Sequence, residues 1–411
     1  MLSFDDALEK LLAGCKPVTE TRAMPTIAAA GRVLAEAQHS TLAVPPLDNS
    51  AMDGYAVRVA DVAAVGTTLP VSQRIPAGTV GTALLSGTAA RIFTGAPIPA
   101  GADAVVMQER CEHGGRGERS ERGEAACIVV NHVPKPGEHI RRAGEDVAPG
   151  AQILAAGARL RPQDIAFAAS VGLATLPVLR RPRVAVFFTG DELRMPGEPL
   201  PPGAIYNSNR FALVALLERL GCEVRDLGLV PDRLDATRTA LRAAAADNDL
   251  IITSGGVSVG EEDHIKPAVE AEGRLDMWKI GIKPGKPLAF GAVTSGEKEC
   301  AFIGLPGNPV SAFVTFLTLV RPFVLRLSGV DRVRPKSYLL RADYDWQRPD
   351  GRREFLRALT NDAGGVELFP SQGSGVLSSC VEADGLVDNP PGQAVARGDL
   401  VRFIPFSELL D

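Results

Sequence analysis

No C-x-x-C pair occurs in the 411 residues, and none of the six cysteines (Cys15, Cys111, Cys127, Cys222, Cys300, Cys380) has a histidine at finger-like spacing. That argues against structural zinc and fits a reducing compartment. An excess of positive charge is also missing: 44 Lys and Arg stand against 49 Asp and Glu, for a formal net charge of −5. Bulk nucleic-acid binding has no footprint here, so any basic site must be local. The most apolar segment, AFVTFLTLV at 312–320, is cut by Arg321 and Pro322. It falls short of the ~20 residues that span a bilayer and reads as a buried helix, with no membrane partner expected. The start, MLSFDDALEK, is acidic and lacks the basic and apolar stretches of a signal peptide, so a cytoplasmic protein is expected.

Two nucleotide motifs are missing as well. GIKPGKP (281–287) has Gly281, Gly285 and Lys286, but not at P-loop spacing, and Pro287 stands where the magnesium-binding hydroxyl belongs. No G-x-G-x-x-G opens a helix after a strand, which leaves a Rossmann dinucleotide site unsupported.

What is present is a large apolar fraction, 45%, over a length that exceeds one hydrophobic core; two to four domains are expected. Ser3 can cap a helix whose Phe4, Leu8, Leu11 and Leu12 share a face, with Gly14 closing it in a left-handed turn. From about residue 45 the texture becomes short β-branched runs between Gly and Pro, ending in a polar stretch, EHGGRGERSERGE (112–124), that reads as a solvated hairpin tip. Helical texture returns at 161–179, where Pro162 suits a first turn and Gly172 a stop. The expected division is a discontinuous helical or mixed domain (1–44 with 141–178), a β-rich insertion (45–140), an α/β domain (179–329) and a C-terminal all-β domain, a small barrel (330–411).

The α/β reading rests on VAVFF, the run near 224–230, LIITS, PLAF and CAFIGL as strands, alternating with helices such as one bearing Phe211, Val214, Leu217 and Leu220. A doubly wound, mostly parallel sheet follows, and its ligands belong at the carboxyl ends of the strands. Three unusual loops start there: Thr189-Gly190-Asp191-Glu192, then Ser254-Gly255-Gly256-Val257-Ser258, then Pro306-Gly307-Asn308-Pro309. One such loop is ordinarily only a turn. Three together, each carrying a hydroxyl, amide or carboxylate, point to an oxyanion site for a phosphate-bearing ligand. Lys283 and Lys286 flank the stiff Pro284-Gly285 and can hold two ammonium groups near one place, or can be two solvated surface lysines. Glu192, Asp263 and Asp249 sit beside or before these elements, and carboxylates near a polyphosphate call for a hard cation such as Mg²⁺. Glu261 and Glu262 are read instead as helix-start charges.

PPLDNSAMDGYAV (45–57), TGAPIPAGADAVVMQE (94–109), RRAGEDV (141–147), TGDEL (189–193), SGGVSVGEEDH (254–264), KPGKPLAFG (283–291) and GLPGNPVSA (304–312) resemble, in order, the molybdopterin molybdenumtransferases of the MoeA type, related to the E domain of gephyrin. The resemblance implies insertion of molybdate into adenylated molybdopterin, with Mg²⁺-dependent cleavage of the adenylate and release of AMP. Alternatives are the preceding adenylyl transfer and a non-catalytic dimeric scaffold. It also implies a homodimer whose cleft is shared across subunits, bringing Met52, Asp53 and Thr94 over the loops of the partner, and transient contact with proteins that make molybdopterin or mature molybdenum enzymes.

By the same resemblance, Glu192 and Asp263 match positions associated with the metal, Asp249 a carboxylate tied to activity, and Asp53 and Asp146 further acids of the site. Lys283, Lys286 and Ser311 match positions linked to molybdate, held without a buried negative partner; Arg352 and Ser374 reach the same pocket from the last domain. Two departures stand out. Tyr206-Asn207-Ser208-Asn209 has Asn where the family often has Asp, which removes a metal ligand and leaves a helix cap, and His264 replaces a frequent Tyr.

Overall fold

The computed structural model describes residues 1–119, 125–256, 264–285 and 287–410. At its centre lies a six-stranded sheet. In spatial order the strands are Glu223–Leu229, Arg183–Phe188, Leu250–Ser254, Lys298–Leu305, Pro287–Ser295 and Gly273–Lys279. The first four are parallel and the last two antiparallel. The chain passes from Arg183–Phe188 to one neighbour and then crosses to the other, so the topological switch falls between Arg183–Phe188 and Leu250–Ser254.

Alternation along the strands sorts the core into two faces. Val184, Val186 and Phe188 face one apolar cluster with the helices Phe4–Ala13, Ser208–Arg219 and Pro309–Thr315. Ala185 and Phe187 face the other, with Leu234–Asp247 and Ile265–Glu272. Each fully buried Val, Leu or Phe contributes roughly 1.5–3 kcal/mol, which is why these short runs hold their strands.

Several local expectations are corrected. The apolar stripe of Ser208–Arg219 is Leu213, Leu216 and Leu217, continued by Leu220, whereas Phe211 is 55% exposed. The first helix is capped by Ser3, whose Oγ accepts from Asp6 N–H, but Gly14 ends it in right-handed geometry with φ −81°. Close approach explains that glycine: a Cβ would lie 2.9 Å from the Phe290 ring. The same helix packs its Phe4, Ala7, Leu8 and Leu11 into the main core. Arg321 and Pro322 do not stop the apolar helix, which runs Pro309–Leu327 with a wider π turn at Phe316–Val320. There Arg321 N–H reaches back five residues to Phe316 O, a loosened turn that accommodates a proline with no N–H to give. Length and composition would let this helix cross a membrane, yet 89% of its apolar window is buried in the protein.

Outside the central sheet, Thr21–Pro25 pairs with Thr175–Leu179 and Gln38–His39 with Gln152–Leu154, around a small core that includes Leu34, Leu160 and Val178. Pro162 opens the helix Pro162–Ser170, and Gly172 follows it at φ +80°. A second six-stranded sheet holds Gly54–Val57 between Ala104–Met107 and Ala89–Ile92. The polar stretch expected as a hairpin tip joins Cys111–Arg119 to Ala125–Val130, with residues 120–124 outside the described residues. Near the C-terminus, Arg353–Thr360, Gly365–Leu368, Tyr338–Ala342, Leu400–Pro405 and Gly385–Asn389 close into a five-stranded barrel, because the last pairs again with the first. Ile282–Lys283 attaches to that barrel beside Arg353 and Glu354.

Gly14→Ala is expected to cost about 1–3 kcal/mol, as overpacking does, because Phe290 is buried and stacked edge-on at 5.8 Å against Phe323. Denaturant unfolding of the full chain measures it.

Candidate functional site

Parallel register places Phe188 beside Ser254 and Ser254 beside Leu305. The three loops therefore leave the sheet at one level, on the switch-point side, and line one cleft of about 770 Å³. Its wall includes Thr189, Glu192, Ser254, Gly255, Gly256, Pro306, Gly307, Asn308 and Ser311, together with Lys283, Arg352 and Ser374. The volume suits a ligand of nucleotide or cofactor size.

Side chains tie the loops to each other. Asn209, in the first turn of Ser208–Arg219, donates from Nδ2 to Ser254 Oγ and to Gly307 O, both at 2.8 Å. Ser254 Oγ in turn donates to Pro306 O at 2.8 Å. Gly255 sits at φ +95°, where a Cβ would come within 3.0 Å of Thr189 O, so the first two loops touch through backbone. Gly190 adopts φ +143°, and a Cβ there would meet the Glu192 carboxylate at 2.7 Å. The turn thus folds Glu192 back over its own glycine, at the cleft.

The cationic end is built differently from the expectation of bare positive groups. Lys283 Nζ lies 3.1 Å from Glu354 Oε1 and 3.5 Å from Asp350 Oδ2. Arg352 grips Asp350 through Nε and Nη2 at 2.9 and 2.8 Å. The Arg352 guanidinium holds the Asp350 carboxyl well below the usual carboxylate range, against a smaller upward push from burial. Glu354 is fully buried and also accepts from Trp346 Nε1 at 2.8 Å. Two cations and two carboxylates make a locally neutral, rigid foundation, so an anion would be met by oriented N–H groups rather than by surplus charge. This negative partnership was invisible because Asp350 and Glu354 lie some seventy residues from Lys283 along the chain.

Other expected residues fall elsewhere. Asp249 precedes the strand Leu250–Ser254 at its amino end, roughly 17 Å from the cleft by strand rise. Its carboxylate takes Arg180 Nη1 and Nη2 at 2.7 and 2.9 Å, plus the N–H of Arg183 at 2.9 Å. Burial pushes its carboxyl up, but those hydrogen bonds together hold it below the ordinary value. The single chain does not bring it into the cleft. Asp53 and Thr94 form their own pair, Thr94 N–H and Oγ1 donating to Asp53 Oδ1 at 2.8 and 2.7 Å, and neither they nor the exposed Asp146 line the cleft. Val257, Ser258, Asp263 and Lys286, with Glu261 and Glu262, lie outside the described residues. Among the described residues no group of three or more His, Cys, Asp or Glu is gathered for a metal.

Asn207 caps its helix, Oδ1 accepting from Arg210 N–H at 3.1 Å, in accord with the sequence reading, and it also lines the cleft, which that reading did not anticipate. Gln372 and Gly373 line it too, from a loop whose Ser374 O accepts from Val310 N–H at 3.0 Å. Asp232, half-buried just past Glu223–Leu229, lies at the same end of the sheet but is not part of the cleft lining.

The chain matches three family models: "MoeA N-terminal region (domain I and II)" over residues 2–172, "Probable molybdopterin binding domain" over 185–326, and "MoeA C-terminal region (domain IV)" over 340–406. It is 41% identical to the molybdopterin molybdenumtransferase of Haemophilus influenzae, with 100% of both chains covered. Identity to molybdopterin molybdenumtransferase 2 of Mycobacterium tuberculosis is 39%, covering 93% of each. The solved structure of the molybdopterin biosynthesis moeA protein from Pyrococcus horikoshii OT3 is similar with a TM-score of 0.82 at 29% identity, covering 98% of this chain and all of that one.

Asp249→Ala is expected to cost about 3 kcal/mol, the scale for orphaning one partner of a buried pair, since Arg180 would lose its bidentate carboxylate. The wild type should lose this contribution as pH falls from about 4 through the depressed folded pKa. Stability curves of the two proteins should therefore converge in acid, which denaturant titrations at neutral and low pH would measure.

Proposed function

The chain belongs to the MoeA family of molybdopterin molybdenumtransferases, and from that premise we propose that it inserts molybdate into adenylated molybdopterin with Mg²⁺-dependent cleavage of the adenylate and release of AMP. The observation that carries this reading is the convergence of three glycine-bearing loops on one cleft that Lys283 and Arg352 also line. In this reading the loops after Phe188 and Ser254 bind the adenylate phosphates through backbone N–H groups, with Thr189 and Ser254 at their starts. The Pro306-Gly307-Asn308 loop orients the pterin-bearing half, kept in place by Asn209. Lys283, Ser311, Arg352 and Ser374 hold the molybdate, with Lys286 expected beside them. Asp350 and Glu354 fix the two cations so that little reorganisation accompanies anion entry.

For Mg²⁺ the fit is favourable at Glu192, an exposed carboxylate on the cleft with no cation partner among the described residues. Glu192, with Asp263, would hold the ion, whose chemistry is to offset charge on the phosphate oxygens.

The reading further places Asp53, Thr94 and Asp146 in the cleft of a second subunit, the protein acting as a cytoplasmic homodimer that meets molybdopterin-producing and molybdenum-enzyme maturation proteins transiently. It keeps Asp249 as a carboxylate tied to activity, held in place by Arg180. The four-way division of the chain at 1–44 with 141–178, 45–140, 179–329 and 330–411 belongs to the same proposal.

Purified protein given adenylated molybdopterin, molybdate and Mg²⁺ should release AMP, with release stimulated by molybdate and abolished by EDTA. No release from a competent substrate would overturn the reading, and formation of the adenylate from ATP and molybdopterin would replace it with the preceding step. If the cleft is shared, co-expressed Asp53→Ala and Lys283→Ala chains should regain about a quarter of wild-type activity, since half the dimers are mixed and each has one intact site. Equal inactivity of mixed and unmixed samples counts against sharing.

A further inference from the structure

Asn207 has two polar ends, and only one is in use. Its Oδ1 accepts from Arg210 N–H at 3.1 Å. A backbone N–H requires an acceptor, so the amide cannot be flipped, and Nδ2 is the end that remains. The residue is 2% exposed and lines the cleft, yet Nδ2 has no hydrogen-bond partner among the described residues. Thr189, 3% exposed on the same cleft, has its Oγ1 in the same condition. Native proteins keep very few buried polar atoms unpaired. Two on one cavity mark a place where a ligand supplies the acceptors.

We infer that Asn207 Nδ2 and Thr189 Oγ1 donate hydrogen bonds to oxygen atoms of the phosphate-bearing ligand, making Asn207 a binding residue as well as a helix cap. This rests on the reading of the cleft given above. The helix cap alone does not demand an amide, because Asp caps as well as Asn. A carboxylate at 207 would offer acceptors only and would face phosphate oxygens with like charge, tolerable only with a cation between them. The amide therefore lets position 207 face phosphate oxygens without a cation between them.

The test uses AMP as the probe and calorimetric titration of the full-length protein, in EDTA and again with Mg²⁺. Wild type should bind AMP in both. Asn207→Asp should bind at least tenfold more weakly in EDTA and recover with Mg²⁺, while unfolding at the wild-type denaturant midpoint because the cap is kept. Asn207→Ser, which also caps but carries no amide, should be weakened under both conditions. Wild-type affinity of both variants in EDTA would reduce Asn207 to a cap and overturn the inference, as would failure of the wild type to bind AMP. Failure of the broader reading shows separately, as absence of AMP release from adenylated molybdopterin by the wild type.

Discussion

Parallel pairing sets Phe188, Ser254 and Leu305 side by side, and the rest of the cleft depends on that row. A one-residue slip in either pairing would turn every inward side chain of a strand to the other face and would carry one loop away from its neighbours. Close packing in the two apolar clusters opposes it, because Val186 and Phe187 differ in volume and fill opposite cores, so exchanging their faces would overpack one and leave a void in the other. Hydrophobic burial in this fold thus fixes not only stability but the level at which three polar loops begin.

Above that row, the loops are locked by contacts of very short range. Asn209 bridges Ser254 and Gly307, and Gly255 rests against the Thr189 carbonyl. None of these groups is charged. Charge enters as Glu192 on a folded-back turn and as Lys283 and Arg352 on a carboxylate base.

Much of this was legible from sequence, for identifiable reasons. Apolar runs broken by glycine gave the strands and the loops, since both period and breaker are local signals. The strand Gly273–Lys279 was not anticipated: GRLDMWK mixes charged and apolar residues, and only its antiparallel pairing with Pro287–Ser295 makes it a strand. Asp249 was read as a carboxylate tied to activity from a motif resemblance, while its place just before Leu250–Ser254 already put it at the amino end of the strand, away from the cleft within one chain. The partners of Lys283 were hidden by chain distance, and the second end of Asn207 by the fact that burial is a tertiary property. Arg321 and Pro322 misled as helix breakers because a π turn can absorb what an α turn cannot.

The attachment of Ile282–Lys283 to the barrel strand Arg353–Thr360 has a temporal meaning. Lys283 is held by Glu354, and Glu354 pairs across the barrel with Asn389 and accepts from Trp346. During synthesis the loops of the sheet can form early, while the cationic wall waits for residues made more than a hundred positions later. A partly made chain can therefore present the three loops but not the wall of Lys283 and Arg352, so the cleft is completed only with the last domain.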